Sequence, residues 1–283
     1  MIDLHVHSTA SDGSLTPREL VYHAAENQLS AIALTDHDTV SGLPEAMAAS
    51  HHAGIELIPG VEMSCVWQGT EIHILGYFAD TASSALQEGI SWFQRMRDER
   101  NETILDNLAE DGILLTEEEL RAGDPNTVIT RAHFARLLIE KGYVRDRKEA
   151  FSGYLFYGGK YVPTKDELTP ERVMQMFRDS RIWPSLAHPA QYHLGEDSLM
   201  ELITELKLLG LRGLEVWHSS QSWQDTARLQ TIARLTGLIP TGGSDFHGSS
   251  KPDVAIGTGR GNLKIQDRVL DAIKEDYEKI RVQ

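Results

Sequence analysis

The chain has a single cysteine, Cys65, in 283 residues. No intrachain disulfide can form, and no zinc finger can be assembled from thiolates. Cys65 is therefore expected to be a small buried apolar group. Basic residues are in the minority: 27 Lys and Arg face 42 Asp and Glu, a formal net charge of −15. So acidic a chain lacks an extended basic face for nucleic acid. It also lacks any apolar run near the length of a membrane span, so no membrane partner is expected. Its first residues show no basic segment followed by an apolar core, so no signal peptide is expected and the reading is cytoplasmic. Aromatic residues make up only 7%, yet hydrophobic residues reach 41% and charged ones 24%. That balance suits a globular chain with a sizeable core. Oligomeric state is not legible.

What is present is an alternation of strand and helix patterns. "IDLHV" (2–6) reads as a strand. "SLTPREL" opens a helix, with Thr16 as N-cap, Pro17 at the first position and Glu19 completing a capping box. "AIAL" (31–34) is a buried-type strand, and a helix over about 42–53 stops at Gly54. "IELIPGVEMSCVW" and "TEIHILGYF" read as a local antiparallel pair. From about Ala82 to 165 the pattern is helical and polar, with one long helix in which Arg97 and Arg100 are expected only to snorkel. Strands then return at 182–188, 213–218 and 238–247, with helices at 197–209, 223–236 and 265–279. The alternation predicts an α/β fold with a largely parallel sheet. Its barrel part covers 1–81 and 166–283, and a helical subdomain is inserted at 82–165.

Histidines and carboxylates fall at particular places in that pattern. His5 and His7 share one face of the first strand, and Asp12 follows in the next loop. His37 comes directly after "AIAL", Glu62 and His73 lie on the next two strands, His188 ends "WPSLA", and Asp245 and His247 follow "LIPT". Most stand at or just past a strand's carboxyl end, where a barrel or open parallel sheet gathers its site. Taken alone, His73 would pass for a core histidine, and Asp245 with His247 for a loop pair. Together the nine suit Mn²⁺, Zn²⁺ or Fe²⁺, with imidazole and carboxylate donors and no thiolate. Nine groups exceed one tetrahedral ion, so two or three divalent ions are expected, with the two oxygens of Glu62 able to bridge. Such ions would also offset the chain's acidity toward an anionic substrate. His23, His51 and His52 lie on helices and are expected to be solvated or half-buried. Gly242 and Gly243 are expected to turn the backbone tightly before Asp245.

The segments "DLHVHSTASDG", "ALTDHDTVSG", "PGVEMS", "IHILGY", "LAHPAQY" and "GSDFHG" resemble, in this order, the polymerase and histidinol phosphatase (PHP) family of metal-dependent phosphoesterases. The helical stretch containing "TRAHFARLLIEKGYV" resembles the stand-alone bacterial branch. That branch contains 3′,5′-bisphosphonucleotide phosphatases and 5′-to-3′ RNA-trimming enzymes. The resemblance implies a distorted (β/α)₇ TIM-like barrel. It places one ion on His5, His7, Glu62 and Asp245, a second on Glu62, His73 and His188, and a third on Asp12, His37 and His247. Mn²⁺ is the first expectation, with Zn²⁺ or Fe²⁺ as alternatives.

The implied reaction is hydrolysis of a nucleotide phosphate ester by a hydroxide shared between metals. Either the 3′-phosphate of a 3′,5′-bisphosphonucleotide or a 5′-phosphorylated short RNA is the expected partner. Asp12 or His37 would assist proton transfer. A second phosphate needs cations beyond the metals. Arg131 is the first choice because its planar fork suits bidentate contact. His133, Arg136, Lys160, Lys165, His193 and His218 are further candidates for substrate contact. Two other readings stay open: a small-molecule phosphomonoesterase such as a histidinol-phosphate phosphatase, and a non-catalytic metal-dependent nucleotide-binding protein. An amidohydrolase is disfavoured, because no lysine stands at a strand end to bridge metals.

Overall fold

A computed structural model describes residues 1–164 and 167–281. Strand β1 (Ile2–Val6) leads to α1 (Pro17–Glu26), whose Thr16–Glu19 capping box forms as the sequence predicts. Next come β2 (Ala31–Leu34), α2 (Leu43–Ala53), β3 (Glu56–Trp67) and β4 (Thr70–Tyr77). The polar helical stretch follows: α3 (Ser84–Glu110), α4 (Glu117–Arg121), α5 (Arg131–Glu140), α6 (Arg147–Glu149) and a π-helical turn, Ala150–Tyr154. The chain returns through α7 (Pro170–Asp179), β5 (Trp183–Leu186), α8 (Glu196–Leu208), β6 (Gly213–His218), α9 (Trp223–Thr236), β7 (Ile239–Gly243) and α10 (Arg268–Arg281).

The seven strands pair in chain order. The sheet then curls until the segment after β7 meets β1. Asp245 N–H donates to His5 O at 2.8 Å, and His7 N–H to Phe246 O at 2.9 Å. The result is a distorted, nearly closed α/β barrel. Closure explains Gly243 better than a tight turn does. A Cβ there would stand 2.4 Å from His5 N, so only glycine lets the two backbones approach. The sheet is less parallel than expected. Strand β4 runs antiparallel to β3, as its pattern predicts, and also to β5. This reversal brings the first half of β4, with His73, to the rim where the parallel strands end.

Helices α1, α2 and α8 contribute Leu20, Val21, Leu43, Leu199 and Leu202 to one core cluster with Ile32, Leu34, Val61 and Met63 of the strands. A second cluster joins Ile2, Leu4, Ala31, Ile58, Tyr77 and Trp183 to Val269, Leu270 and Ile273 of α10. These strand residues lie at the starts of parallel strands or at the end of the reversed β4, so α10 plugs the end opposite the rim. Burying each such side chain contributes roughly 1.5–3 kcal/mol. Residues of α3, α4 and α5 form a cluster of their own around Ile104, Leu108, Phe134 and Leu138. Helix α7 is absent from the sequence reading. Its signals were Thr169, which caps Arg172 N, Pro170 at the start, and Val173, Met174 and Phe177 on one face. Cys65 is buried in the core as a free thiol.

Candidate metal centre

Glu62 occupies the middle of the barrel rim with a side chain 1% exposed. Its position is fixed locally: Glu62 N–H donates to Asp36 O and Asp38 N–H to Glu62 O, locking β3 beside the segment carrying His37. The two oxygens of Glu62 face different histidines. Oε1 lies 2.8 Å from His73 Nδ1 and 2.9 Å from His188 Nε2. Oε2 lies 3.2 Å from each of His5 Nε2, His7 Nε2 and His37 Nδ1. Asp245 Oδ1 adds a second anionic atom, 3.3 Å from His7 Nε2 and 3.7 Å from His5 Nε2. A third carboxylate, Asp12, approaches His247 Nε2 at 3.1 Å and His37 Nε2 at 3.9 Å. All nine sequence candidates thus converge on one rim.

Several of these buried atoms make no hydrogen bond: His5 Nε2, both nitrogens of His7, His37 Nδ1 and Glu62 Oε2. A buried polar atom without a partner costs about 1–3 kcal/mol. Here they crowd together, with Glu62 Oε2 3.2 Å from each of His5 Nε2, His7 Nε2 and His37 Nδ1, a proximity that suits a ligand set. Among the described residues, four groupings hold all their donor atoms within 4.8 Å of one another: His7, Asp12, His37 and His247; His5, His7 and Asp245; His5, Glu215 and His218; His37, Glu62 and His73. The donors, imidazole nitrogen and carboxylate oxygen, suit divalent transition metals. The residues therefore fit more than one divalent ion.

Mutual attraction within the cluster sets its charge states. Burial opposes charge at His7 but is outweighed by Asp245 and Glu62, which hold it up to about 9. Burial likewise opposes charge at His73, and Glu62 holds that imidazole up to about 9. At His188 burial dominates and pushes it down to about 4. Burial would raise Glu62, yet His37, His5 and His73 keep its carboxyl well below the usual range.

Backbone strain accompanies the ligand set. His188 (φ 24°) and Asp245 (φ 58°) both occupy positive φ, which side-chain-bearing residues adopt only when the surroundings impose it. Glu215 of β6 supplies part of that constraint. It is fully buried, accepts from His188 N–H at 2.6 Å and lies 3.0 Å from His5 Nδ1. The sequence reading missed it, although an acidic residue inside the apolar strand "GLEVWH" was a visible signal. Asp36 was also missed. Its buried carboxylate accepts from Ser8 N–H (2.8 Å), Ser8 Oγ (2.6 Å) and Ser11 Oγ (2.7 Å), pinning the loop that carries Asp12.

A cleft of about 410 Å³ opens over the cluster, and its lining includes Arg97, Arg131, Arg147, Lys148, Phe151 and Lys251. Arg131 stands at the start of α5 with Nη2 2.5 Å from Glu71 Oε1 and donates through Nη1 to Leu155 O at 3.0 Å. Thr130, the N-cap of that helix, donates to Asp12 Oδ2 at 2.9 Å. Arg97 and Arg100 do not snorkel. Both are buried: Arg97 pairs with Asp38 and donates to Ser64 Oγ, while Arg100 lies 3.6 Å from Glu71. Lys251, not foreseen, sits 2.6 Å from Asp245 Oδ2.

Other sequence candidates fall elsewhere. His133 accepts from Thr130 N–H and so completes the cap of α5, outside the cleft lining. Arg136 is tied to Glu140 and to Glu119 O. Lys160 pairs with Asp111, also outside the lining. His193 is exposed away from it. His218 is buried with its Nε2 3.4 Å from Asp245 Oδ2, so it belongs with the ligand cluster rather than the lining. Lys165 lies outside the described residues.

A barrel rim that gathers histidines and carboxylates around one two-sided carboxylate, under a cation-lined cleft, makes this chain a metal-dependent phosphoesterase. Residues 3–152 match the PHP domain model, and the chain belongs to that family. It is 35% identical over 247 residues to a 3′,5′-nucleoside bisphosphate phosphatase of Chromobacterium violaceum, 87% of each chain being covered. The 5′-3′ exoribonuclease Rnm of Salmonella typhimurium is 37% identical over 249 residues, covering 87% of this chain and 84% of the relative. A solved structure from Chromobacterium violaceum, described as an amidohydrolase with bound SO4 and no metal, superposes with a TM-score of 0.86 at 33% identity. That match covers 99% of this chain and 96% of the other. No described helix is long and apolar enough to cross a membrane.

Proposed function

We propose that the chain hydrolyses the 3′-phosphate of 3′,5′-bisphosphonucleotides, the 5′-phosphorylated end of short RNA, or both, in the cytoplasm. The observation that carries this reading is the split of Glu62, with His73 and His188 on Oε1 and His5, His7 and His37 on Oε2. One ion is assigned to His5, His7, Glu62 and Asp245, a second to Glu62, His73 and His188, and a third to Asp12, His37 and His247. Mn²⁺ is the first assignment. Bound there, divalent ions supply an ionised water at neutral pH and positive charge against the phosphoryl oxygens.

The chain's own residues do the rest. Arg131, at the cleft wall, binds the phosphate that is not cleaved, and its fork suits bidentate contact. Arg97 and Lys251, which line the same cleft, add positive charge there against the chain's overall acidity. Proton transfer is assigned to Asp12 or His37; Asp12 accepts from Thr130 at one oxygen and lies beside His247 at the other, contacts that support a fixed carboxylate there. Residues 82–165 act as a cap whose α3 and α5 carry Arg97 and Arg131 to the rim. The two nucleotide-acting relatives support the substrate class.

The test is product release by Mn²⁺-loaded protein: inorganic phosphate from a 3′,5′-bisphosphonucleotide, histidinol phosphate and p-nitrophenyl phosphate, and nucleoside 5′-monophosphate from a 5′-phosphorylated oligoribonucleotide. A clamp of charge-assisted hydrogen bonds contributes about 1.5–3 kcal/mol. One of the two nucleotide substrates should therefore exceed p-nitrophenyl phosphate by about 10- to 100-fold in kcat/KM. Equal rates on all four, or preference for histidinol phosphate, would refute the substrate assignment.

A further inference from the structure

A carboxylate in a phosphate-binding cleft is out of place, yet Glu71 lines this one. Like charges should repel, so its presence needs a reason. Glu71 and His73 are two residues apart on β4 and therefore share a face. Glu71 Oε1 lies 3.4 Å from His73 Nε2 and 2.5 Å from Arg131 Nη2, while Oε2 lies 3.6 Å from Arg100. The other nitrogen of the same imidazole, His73 Nδ1, faces Glu62 at 2.8 Å. One carboxylate thus touches a proposed metal ligand and the proposed phosphate clamp at once.

We propose that Glu71 is a positioning residue that couples the metal cluster to the second-phosphate site. It orients His73 toward the metals and holds Arg131 until a substrate phosphate draws that guanidinium away. This rests on the function proposed above and names the linkage within that site.

Two consequences follow from the geometry. A ligating histidine is oriented and made more basic by a carboxylate on its far nitrogen. With Nε2–H donated to Glu71, Nδ1 keeps its lone pair for the metal. While Arg131 shares Glu71, that support is diluted. A phosphate that takes Arg131 returns the whole charge of Glu71 to His73 and its neighbour Arg100, so the metal binds more tightly. Conversely, a metal on Nδ1 makes Nε2–H a stronger donor, draws Glu71 toward it and frees Arg131. Linkage requires the two effects to be equal in size.

The experiment measures Mn²⁺ affinity of the full chain by calorimetry, alone, with a nucleoside 5′-monophosphate, and with the unphosphorylated nucleoside. The monophosphate carries the group for Arg131 but no 3′-phosphate to cleave. In the wild type it should tighten Mn²⁺ binding by about 5- to 10-fold, and the nucleoside should not. In Glu71→Gln, Mn²⁺ alone should bind about 10-fold or more weakly, and the tightening by monophosphate should disappear. Glu71→Asp, which keeps the charge, should recover part of it.

Absent linkage in the wild type overturns the proposal, as does linkage of wild-type size in Glu71→Gln. Weaker Mn²⁺ binding with linkage intact marks Glu71 as merely structural and overturns it too. If Glu71→Gln fails to fold, the wild-type titration and its reciprocal, monophosphate affinity with and without Mn²⁺, decide the matter. A monophosphate that binds without linkage refutes this inference alone. One that does not bind at all refutes the substrate assignment beneath it.

Discussion

Glu215→Gln is the most informative single change around the ligand set, because it alters charge without altering shape. Glu215 is fully buried, and its two oxygens serve two donors: Oε1 faces His5 Nδ1 at 3.0 Å and Oε2 accepts from His188 N–H at 2.6 Å. An amide offers one accepting oxygen. With its oxygen on His188 N–H, its NH₂ faces His5 Nδ1 and leaves that nitrogen unpaired in the tautomer that keeps Nε2 bare; turned the other way, it leaves His188 N–H unpaired. One orphaned buried donor costs about 1–3 kcal/mol. In a protein of this size that lowers the metal-free melting temperature by roughly 2–10 °C. His5 also loses the carboxylate that fixes its tautomer with Nε2 bare toward Glu62 and Asp245. Loss of such a partner weakens metal binding about 10- to 100-fold, which is roughly 1.4–2.8 kcal/mol. The assay is a Mn²⁺ titration against a competing chelating dye, with thermal melts in chelator alongside. Folded Glu215→Gln that binds Mn²⁺ within twofold of wild type would refute the claim that His5 is a ligand oriented by this carboxylate.

Arg131→Met should raise KM for a 3′,5′-bisphosphonucleotide about 10- to 100-fold and leave turnover of p-nitrophenyl phosphate nearly unchanged; steady-state kinetics on both substrates checks it. Arg97→Met leaves Asp38 buried without its partner, which should cost about 3–5 kcal/mol of stability, read as a lower midpoint in urea. In chelator, stability should fall as pH rises from about 6.5 to 9. Burial opposes charge at His7 and His73, but their carboxylate neighbours hold both at about 9, whereas an unfolded histidine titrates near 6.5. Between those values the folded state binds more protons, so its stability is full below the window and is lost on the way up through it. Thermal melts at pH 6.5 and 9 decide this, and an unchanged or higher melting temperature at pH 9 contradicts it.

Much of the barrel was legible because its strands and helices follow simple periods and caps. Thr16, Pro17 and Glu19 announce α1, and Gly54 with φ 69° ends α2. Candidate ligands were legible because several stand where strands end, a position that chain order reveals. What stayed hidden depends on contacts between distant segments. The reversal of β4 against β5 cannot be read from alternation, which is the same for either direction. Arg97 and Arg100 have the composition of a solvated helix face, and only the packing of α3 over the rim buries them. Glu71 looks like an ordinary strand residue until His73 and Arg131 are brought beside it, and the acid inside "GLEVWH" marks Glu215 as unusual without revealing that it holds His5 and His188. Gly243 signalled a special backbone, but its purpose, clearance for His5 at barrel closure, exists only in three dimensions.

Glu62 and its surrounding histidines form groups that could hold divalent ions at this rim. Anomalous diffraction from crystals of the Mn²⁺-loaded chain, collected on either side of the manganese edge, tests this capacity directly. Two or three manganese peaks are expected, two of them sharing Glu62, with His73 and His188 on one side and His5, His7 and Asp245 on the other. A single peak that leaves Glu62 bound through one oxygen, or peaks confined to the protein surface, would contradict it.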